Sequence, residues 1–195
     1  IAGVTGSVGK TGTKEALAAA LARANRGPAH KSVKSYNNHI GVPLSLARMP
    51  ADSAFAVFEM GMNHAGELAA LTQLVRPHVA LVTTVAAAHI EYFDSVEAIA
   101  DAKGEIFQGL QPGGTAVIPF DSPYRDRLIG HAKPYAANIL TFGRGAGADV
   151  RVVDEVPTRD GTMLNVVLPG ADLSFTLSQP GEHWVSNSLA VLAAV

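Results

Sequence analysis

Short runs of consecutive apolar residues alternate with segments of helical periodicity through the first two thirds of the chain. The apolar runs IAGVTG, AFAVFEMG, HVALVTTV, PGGTAVIP and ANILTFG predict buried strands. Between them, helices are predicted at about Thr11 to Arg26, within HAGELAALTQLV, at about Ser95 to Leu110, and within PYRDRLIGHA. Apolar strands separated by helices indicate an α/β fold, with a mostly parallel sheet covered by helices on both faces.

The pattern changes after the segment GRGAGAD. The runs DVRVVDEV, TMLNVVLPG and DLSFTLS are short, and turn residues separate them, which is typical of antiparallel hairpins. Residues from about 147 to 180 are therefore predicted to form a small antiparallel β appendage. A closing helix is predicted after QPGEH.

Composition narrows the class of protein. The 195 residues are 48 % hydrophobic and 16 % charged, which is typical of a globular protein of one large or two small domains. The net charge is -2 and no basic block occurs, so nucleic acid is not an expected partner. Cysteine is absent, which excludes disulfides and fits a cytoplasmic protein. No apolar run approaches the roughly 20 residues that a membrane span requires.

The two ends of the sequence both carry core-like elements. The chain begins without Met inside an apparent strand, and its last residues, SNSLAVLAAV, form an apolar helical segment. We therefore expect the sequence to be one domain of a larger protein.

The segment TGSVGKT follows the first predicted strand and precedes a predicted helix. Its glycines allow backbone N–H groups to converge on anionic oxygens, and the helix N-terminus adds a positive dipole. The spacing departs from the strict P-loop pattern at Val4, which leaves an ordinary glycine-rich turn as the alternative, but the G-K-T order favours a nucleotide site. The candidate phosphate-binding residues are Thr5, Gly6, Ser7, Gly9, Lys10 and Thr11.

Glu59 ends the second clear strand, in FEMGMNHAGE. Ligands of open α/β sheets bind outside the carboxyl ends of the strands, so we expect Glu59 to face the same crevice as the glycine loop. A carboxylate there suits the Mg²⁺ that accompanies a nucleotide. Taken alone, it is equally compatible with a charge at a strand end or at a helix N-terminus.

Four further segments contain polar residues that admit two interpretations each. His89, after the third strand, is either a core histidine or a ligand, and Lys103 with Glu105 is either a solvated helical face or part of a site. Asn37 and Asn38 either cap a helix or bind a polar ligand. His183 and Asn187 lie four residues apart on the closing helix, where they make a poor metal site. They are either part of an ordinary polar helix face or, through the Asn187 amide, suited to bind an adenine edge.

Six motifs occur in one order: TGSVGKTGTKE, NNHIGVPLSL, FEMGMNHAGE, VAAAHIEYF, AKGEIFQGL and GEHWVSNSLA. Together they resemble the central ATP-binding domain of the Mur ligases over nearly the whole chain, residues 1–195. The motifs NNHIGVP, AAAHIE and AKGEIF are most similar to the branch that adds D-alanyl-D-alanine to UDP-N-acetylmuramoyl-tripeptide (UDP-MurNAc-tripeptide) in peptidoglycan precursor synthesis.

The resemblance implies the chemistry. Such ligases use ATP to phosphorylate the terminal carboxylate of the UDP-muramoyl peptide, and the incoming amine then attacks the acyl phosphate. It also implies two Mg²⁺ ions and a carbamylated lysine. The flanking N-terminal UDP-binding domain and the C-terminal domain are not in this sequence, so we expect the isolated domain to bind nucleotide without turnover.

The resemblance also assigns roles to residues. Lys10, Lys103 and His89 are implied to be catalytic. Thr11 and Glu59 are implied to hold the first Mg²⁺, and His89 with the Lys103 carbamate the second, because a carbamate presents oxygens where an ammonium would repel the ion. The residues implied to meet the muramoyl-peptide substrate are Asn37, Asn38, Asn63 and His64. The residues implied to lie near adenine are His183 and Asn187, although Trp184 stands where relatives often have Asn.

Two alternative functions stay open. A folylpolyglutamate-synthase-type ligase would share the ATP-binding core and the acyl-phosphate route, but the motif NNHIGVP counts against it. A non-catalytic ATP-binding module would not need the residues implied for a second metal ion.

Overall fold

The strands form one sheet. The computed structural model describes residues 1–23, 27–88 and 90–195. Its strands are β1 (Ala2–Thr5), β2 (Ala29–Lys31), β3 (Phe55–Glu59), β4 (Val79–Val82), β5 (Thr115–Pro119), β6 (Asn138–Gly143), β7 (Val150–Thr158), β8 (Gly161–Leu168) and β9 (Ala171–Leu177). Over the described ranges these nine strands lie in the order β2-β3-β1-β4-β5-β6-β7-β8-β9.

The helices follow the predicted alternation closely. They are α1 (Lys10–Arg23), α2 (Gly41–Ala47), α3 (Glu67–Val75), α4 (Val96–Gly104), α5 (Arg125–Ala132) and α6 (Glu182–Ala194). The helix predicted from Ser95 to Leu110 is α4 followed by a 3-10 turn at Glu105–Gly109. The last residues predicted for the first helix, 24–26, lie outside the described residues.

The sheet changes from parallel to antiparallel along its length. Each neighbouring pair from β2 to β7 is parallel, whereas β7 with β8 and β8 with β9 are antiparallel. This confirms the predicted α/β class with an antiparallel appendage. β2 was not predicted from the sequence.

Apolar residues of the central strands point alternately to the two faces of the sheet. In β3, Val57 belongs to the apolar cluster that contains Leu17 of α1 and Leu189 of α6, whereas Phe58 belongs to a second cluster that contains Leu68 of α3. Helices therefore cover both faces, as the continuous apolar strands predict. In the part of the chain that the structure describes, no helix is long and apolar enough to cross a membrane.

Candidate functional site

The glycine loop after β1 is bound to the segment after β4. The Ser7 N–H donates to the Thr84 carbonyl over 2.9 Å, and the Val8 N–H donates to Thr84 Oγ1 over 3.1 Å. The Ser7 hydroxyl donates to the Ala86 carbonyl over 3.0 Å. The loop is thus fixed in place, and the N–H groups of the first turn of α1, which have no intrahelical acceptors, are the groups available to an anion.

Two glycines of this loop have backbone conformations that favour glycine. Gly6 has φ +147°, and a Cβ atom there would lie 1.9 Å from Thr83 Oγ1. Gly9 has φ +91°, and a Cβ atom there would lie 2.5 Å from Asn187 Oδ1. The close approach of β1, β4 and α6 therefore requires glycine at both positions.

We expect Gly6→Ala to destabilise the protein by about 1–3 kcal/mol, because the added Cβ meets Thr83 and the backbone conformation is strained. Thermal unfolding measures the effect. Gly130→Ala is the matched control, since nothing lies within 4 Å of a Cβ atom at Gly130. Equal melting temperatures for Gly6→Ala and the wild type would contradict this interpretation of the loop.

Thr5 and Lys10 lie at the two ends of the loop. Thr5 is buried, and its hydroxyl has no hydrogen-bond partner among the described residues. Lys10 Nζ donates to the Gly6 carbonyl over 2.7 Å, so the ammonium group lies over the loop. Burial lowers the pKa of Lys10, and the negative charge of Glu59 opposes this effect.

Glu59 is the centre of a polar cluster at the end of β3. Its side chain is buried, with 1 % of the residue exposed. Glu59 Oε2 accepts a hydrogen bond from Thr11 Oγ1, and Oε1 accepts one from Asn37 Nδ2, each 2.8 Å long. The Glu59 N–H donates to Ser32 Oγ over 3.1 Å. One carboxylate is therefore held between the phosphate loop and the Asn37 segment.

This donor set fits Mg²⁺. The carboxylate of Glu59 and the hydroxyl of Thr11 are hard oxygen donors, and Mg²⁺ bound with a nucleotide takes its other ligands from phosphates and water. Among the described residues, no cluster of three or more His, Asp or Glu side chains suited to a metal ion occurs. His89, the residue implied for a second ion, lies outside the described residues.

Lys103 is buried, with 2 % of the residue exposed, although it lies in a helix with polar neighbours. Burial, together with the positive charge of Lys10, lowers the pKa of Lys103 to about 7. Lys103 is therefore not part of a solvated helical face. The uncharged amine is therefore more populated at neutral pH than that of an ordinary lysine.

The structure separates the two adjacent amides. Asn38 Oδ1 accepts hydrogen bonds from the Ile40 N–H over 3.1 Å and from the Gly41 N–H over 2.9 Å, so Asn38 caps the start of α2. Asn37 instead donates to Glu59. The Asn38 side chain thus caps a helix, as one interpretation predicts, whereas the Asn37 side chain joins the Glu59 cluster.

A cavity of about 600 Å³ opens beside Asn37. Asn38 and Asn63 also line it, together with Met62 and residues from the start of α3. His64 is not among the lining residues, and its ring lies 5.0 Å from the Tyr92 ring. The cavity therefore brings together three of the four predicted substrate residues.

Two carboxylates that sequence reasoning did not assign hold the turn beside this cavity. Glu67 Oε2 accepts hydrogen bonds from the N–H groups of Asn63, over 2.7 Å, and His64, over 3.2 Å. Glu105 Oε1 accepts one from the Gly66 N–H over 2.7 Å. Glu105 lies 39 residues away in sequence, so no local pattern could have indicated this contact.

The closing helix contacts the phosphate loop. Asn187 is buried, and its amide lies against Gly9. The Trp184 ring lies against Gly12, 3.2 Å from the position of a Cβ atom there. His183 is exposed, and its ring lies 5.3 Å from that of Trp184. The structure thus places Asn187 beside the loop and His183 at the surface.

A smaller cavity of about 230 Å³ lies between the ends of β4, β5 and β6 and the start of α6. Thr84, which binds the phosphate loop, is one of its lining residues, and Asp121 and Arg144 are others. Asp121 accepts hydrogen bonds from the N–H groups of Arg144, over 2.6 Å, and Gly145, over 2.9 Å. Sequence reasoning did not indicate this second cavity.

Known proteins that are similar to this chain in sequence and in structure include ligases. The chain is 36 % identical, over its full length, to the UDP-N-acetylmuramoyl-tripeptide–D-alanyl-D-alanine ligase of Bacillus subtilis, and spans 40 % of that protein. The crystal structure of MurF from Acinetobacter baumannii has a TM-score of 0.91 at 32 % identity, covering 98 % of this chain and 41 % of that one. MurF from Thermotoga maritima in complex with ADP has a TM-score of 0.85 at 31 % identity, covering 98 % and 43 %.

The chain therefore spans about 40 % of the length of the relatives that it resembles. The model of the Mur ligase middle domain matches residues 4–195, which include the glycine loop, the Glu59 cluster and both cavities. The chain belongs to the Mur ligase middle domain family.

Proposed function

We propose that this chain is the ATP-binding domain of a ligase that adds D-alanyl-D-alanine to UDP-MurNAc-tripeptide in peptidoglycan precursor synthesis. The observation that carries the proposal is the position of Glu59. Its two carboxylate oxygens accept hydrogen bonds from Thr11, at the phosphate loop, and Asn37, at the 600 Å³ cavity. A nucleotide at the loop and a substrate carboxylate in the cavity would thus meet at one buried acidic group.

The proposed reaction is transfer of the γ-phosphoryl group of ATP to the terminal carboxylate of the tripeptide. Nucleophile and phosphate are both anions, so their approach requires positive charge. Lys10, which already lies over the loop, would bind the phosphate oxygens. Thr11 and Glu59 would hold a Mg²⁺ ion, which supplies further neutralisation of the phosphates. The amine of D-alanyl-D-alanine then attacks the acyl carbon, and phosphate leaves.

We propose that Lys103 is carbamylated. In this modification the uncharged amine forms a bond to the carbon of CO₂ and loses a proton, so a pKa of about 7 favours it. The resulting carbamate would join His89 as a ligand of a second Mg²⁺ ion. The burial of Lys103 supports the proposal because a buried ammonium next to a second ammonium is electrostatically unfavourable.

Substrate contacts are assigned to the residues around the large cavity. Asn37, Asn38 and Asn63 line it, and His64 lies at the neighbouring turn. At the other end of the site, Asn187 and His183 would contact the adenine. Since the chain spans about 40 % of its relatives, domains on either side would complete the UDP and nucleotide sites, and the isolated chain would bind ATP without turnover.

Phosphate release from ATP by the full-length protein that contains this chain tests the proposal. UDP-MurNAc-tripeptide with D-alanyl-D-alanine is offered in one assay, and folate with glutamate in another. We expect release with the first pair alone. Release with the folate pair alone would assign the protein to the folylpolyglutamate synthase type, and ATP binding with no release in either assay would indicate a non-catalytic module.

A further inference from the structure

Lys14 is a fully buried lysine outside the set of residues assigned to the reaction. It lies on α1 one turn after Lys10, and none of its side chain is exposed. Burying an ammonium group is costly unless hydrogen bonds and opposite charge compensate for the lost hydration. The partners of Lys14 therefore indicate what this lysine contributes.

Lys14 binds the segment that follows β2. Its Nζ donates to the Ser32 carbonyl over 2.9 Å and to the Lys34 carbonyl over 2.5 Å. A third contact, 3.0 Å long, joins Nζ to the carboxylate of the neighbouring Glu15. Two of the three partners are thus backbone groups of one short segment.

That segment contains a left-handed residue and leads directly to Asn37. Lys34 has φ +50°, a conformation that costs energy for a residue other than glycine and persists only where neighbouring contacts hold it. Three residues later, the Asn37 carbonyl accepts a hydrogen bond from the Gly61 N–H over 2.7 Å, and its side chain donates to Glu59. Lys14 therefore holds the carbonyl of the residue at which the backbone turns towards Asn37.

The same segment touches Glu59 a second time. Ser32 Oγ accepts a hydrogen bond from the Glu59 N–H, while the Ser32 carbonyl binds Lys14. An apolar residue at position 14 would fill the same space but would leave the carbonyls of Ser32 and Lys34 without this donor, and an unpaired buried carbonyl is costly. The buried ammonium thus fixes one backbone arrangement rather than adding bulk to the core.

We propose that Lys14 is a positioning residue, which holds residues 32–37 so that Asn37 faces both the Glu59 carboxylate and the acceptor cavity. Because Lys10 and Lys14 lie one turn apart on α1, one helix then sets both the phosphate end and the acceptor end of the site. This inference rests on the proposed function for the identity of the acceptor, UDP-MurNAc-tripeptide.

Lys14→Met in the full-length protein tests this role. We expect the KM for UDP-MurNAc-tripeptide to rise about 10-fold, the lower end of the loss that follows removal of groups that orient metal ligands. The KM for ATP is expected to stay at the wild-type value. Lys31→Met is the control, because Lys31 is an exposed lysine that pairs with the same Glu15. An unchanged KM for the tripeptide, or an equal loss for both substrates, would overturn the proposal.

A double-mutant cycle with Asn37→Ala asks whether Lys14 acts through Asn37. If it does, Lys14→Met raises the KM for the tripeptide when introduced alone but causes no further rise when added to Asn37→Ala, because coupled positions are non-additive. Additive increases would show that Lys14 affects the tripeptide by another route.

A second pair of variants tests the segment without altering the core. The Lys34 side chain is exposed, so Lys34→Val strains the left-handed residue, whereas Lys34→Gly tolerates it. We expect the KM for the tripeptide to rise in Lys34→Val and to stay unchanged in Lys34→Gly. Equal KM values for the tripeptide in these two variants would contradict the proposal that the turn at Lys34 positions Asn37. This test applies even if Lys14→Met fails to fold.

Turnover by the wild-type protein is measured first and decides the proposed function separately. If the wild type releases phosphate with the tripeptide and D-alanyl-D-alanine, an unchanged KM for the tripeptide in the variants counts against the role of Lys14 alone. If the wild type is inactive with this pair, the proposed function fails. Hydrogen exchange of the Gly61 N–H, which donates to the Asn37 carbonyl, tests Lys14 without turnover. We expect its protection to fall in Lys14→Met and in Lys34→Val and to stay at the wild-type level in Lys34→Gly. Wild-type protection in a folded Lys14→Met protein would overturn the proposal.

Discussion

Lys10→Met is expected to reduce the rate of phosphate release by the full-length protein on the order of 10³-fold or more, as for other cationic groups that stabilise a transferring phosphoryl group. The side chain of Lys10 lies over the glycine loop, half-buried, with its ammonium 2.7 Å from the Gly6 carbonyl. Charge in such a site acts through a lower dielectric than water, so its loss is not replaced by solvent. Single-turnover phosphate release with UDP-MurNAc-tripeptide measures the effect.

The control for Lys10→Met is Lys133→Met, which removes an exposed lysine of the same charge. We expect wild-type rates from this control and a normal melting temperature from both variants. A folded Lys10→Met protein with undiminished turnover would show that the glycine loop does not hold the phosphates that react.

Lys103→Ala is expected to lower kcat on the order of 10²-fold, the cost of losing one preorganised electrostatic group from an active site. If the lysine acts as a carbamate, a short carboxylate such as acetate can enter the space that the side chain leaves and restore part of the rate. The measurement is kcat with increasing acetate, at constant ionic strength.

Acetate should not raise the rate of the wild type or of Lys133→Ala.

Carbamylation also has a pH dependence with a definite sign. Burial and the charge of Lys10 lower the pKa of Lys103 to about 7, so the reactive uncharged amine predominates above that pH and is lost below it. A carbamate signal in ¹³C NMR with labelled bicarbonate should therefore be stronger at pH 8 than at pH 6. Full activity of Lys103→Ala without acetate would exclude a role for the carbamate.

Much of the fold could be predicted because its strands are unambiguous. Strands buried on both faces, such as β3 and β4, appear as continuous apolar runs, and their lengths of five and four residues favour strands over buried helices. β2 could not be predicted, because it has only three residues, of which His30 and Lys31 are polar, and lies at the edge of the sheet. Its position depends on pairing with β3, which is a tertiary property.

The phosphate loop and Glu59 could be found from sequence because each follows a strand at a recognisable place. The long-range contacts around this site could not be found from sequence. Asn37 reaches Glu59 across 22 residues, and Glu105 reaches the turn at Gly66 across 39 residues, distances over which local patterns carry no information. The sequence likewise could not show which of the two adjacent amides caps α2 and which contacts Glu59, because this depends on the neighbour that each amide meets in the folded chain.

The burial of Lys14 could not be predicted from the sequence for a different reason. In the sequence it is one lysine in an alanine-rich helix, where the usual expectation is a solvated charge. The helix instead turns it towards the segment after β2, where two backbone carbonyls accept its hydrogen bonds. Only the tertiary arrangement identifies it as a buried group.

Isotope transfer tests whether the full-length protein activates a carboxylate of UDP-MurNAc-tripeptide as an acyl phosphate. The full-length protein is given tripeptide labelled with ¹⁸O in its terminal carboxylate, together with ATP and D-alanyl-D-alanine, and the released phosphate is examined by mass spectrometry. Attack of the amine on an acyl phosphate leaves one carboxylate oxygen on the departing phosphate, so we predict one ¹⁸O atom per phosphate from fully labelled substrate. Phosphate free of ¹⁸O, formed at the same rate as the peptide product, would contradict the account.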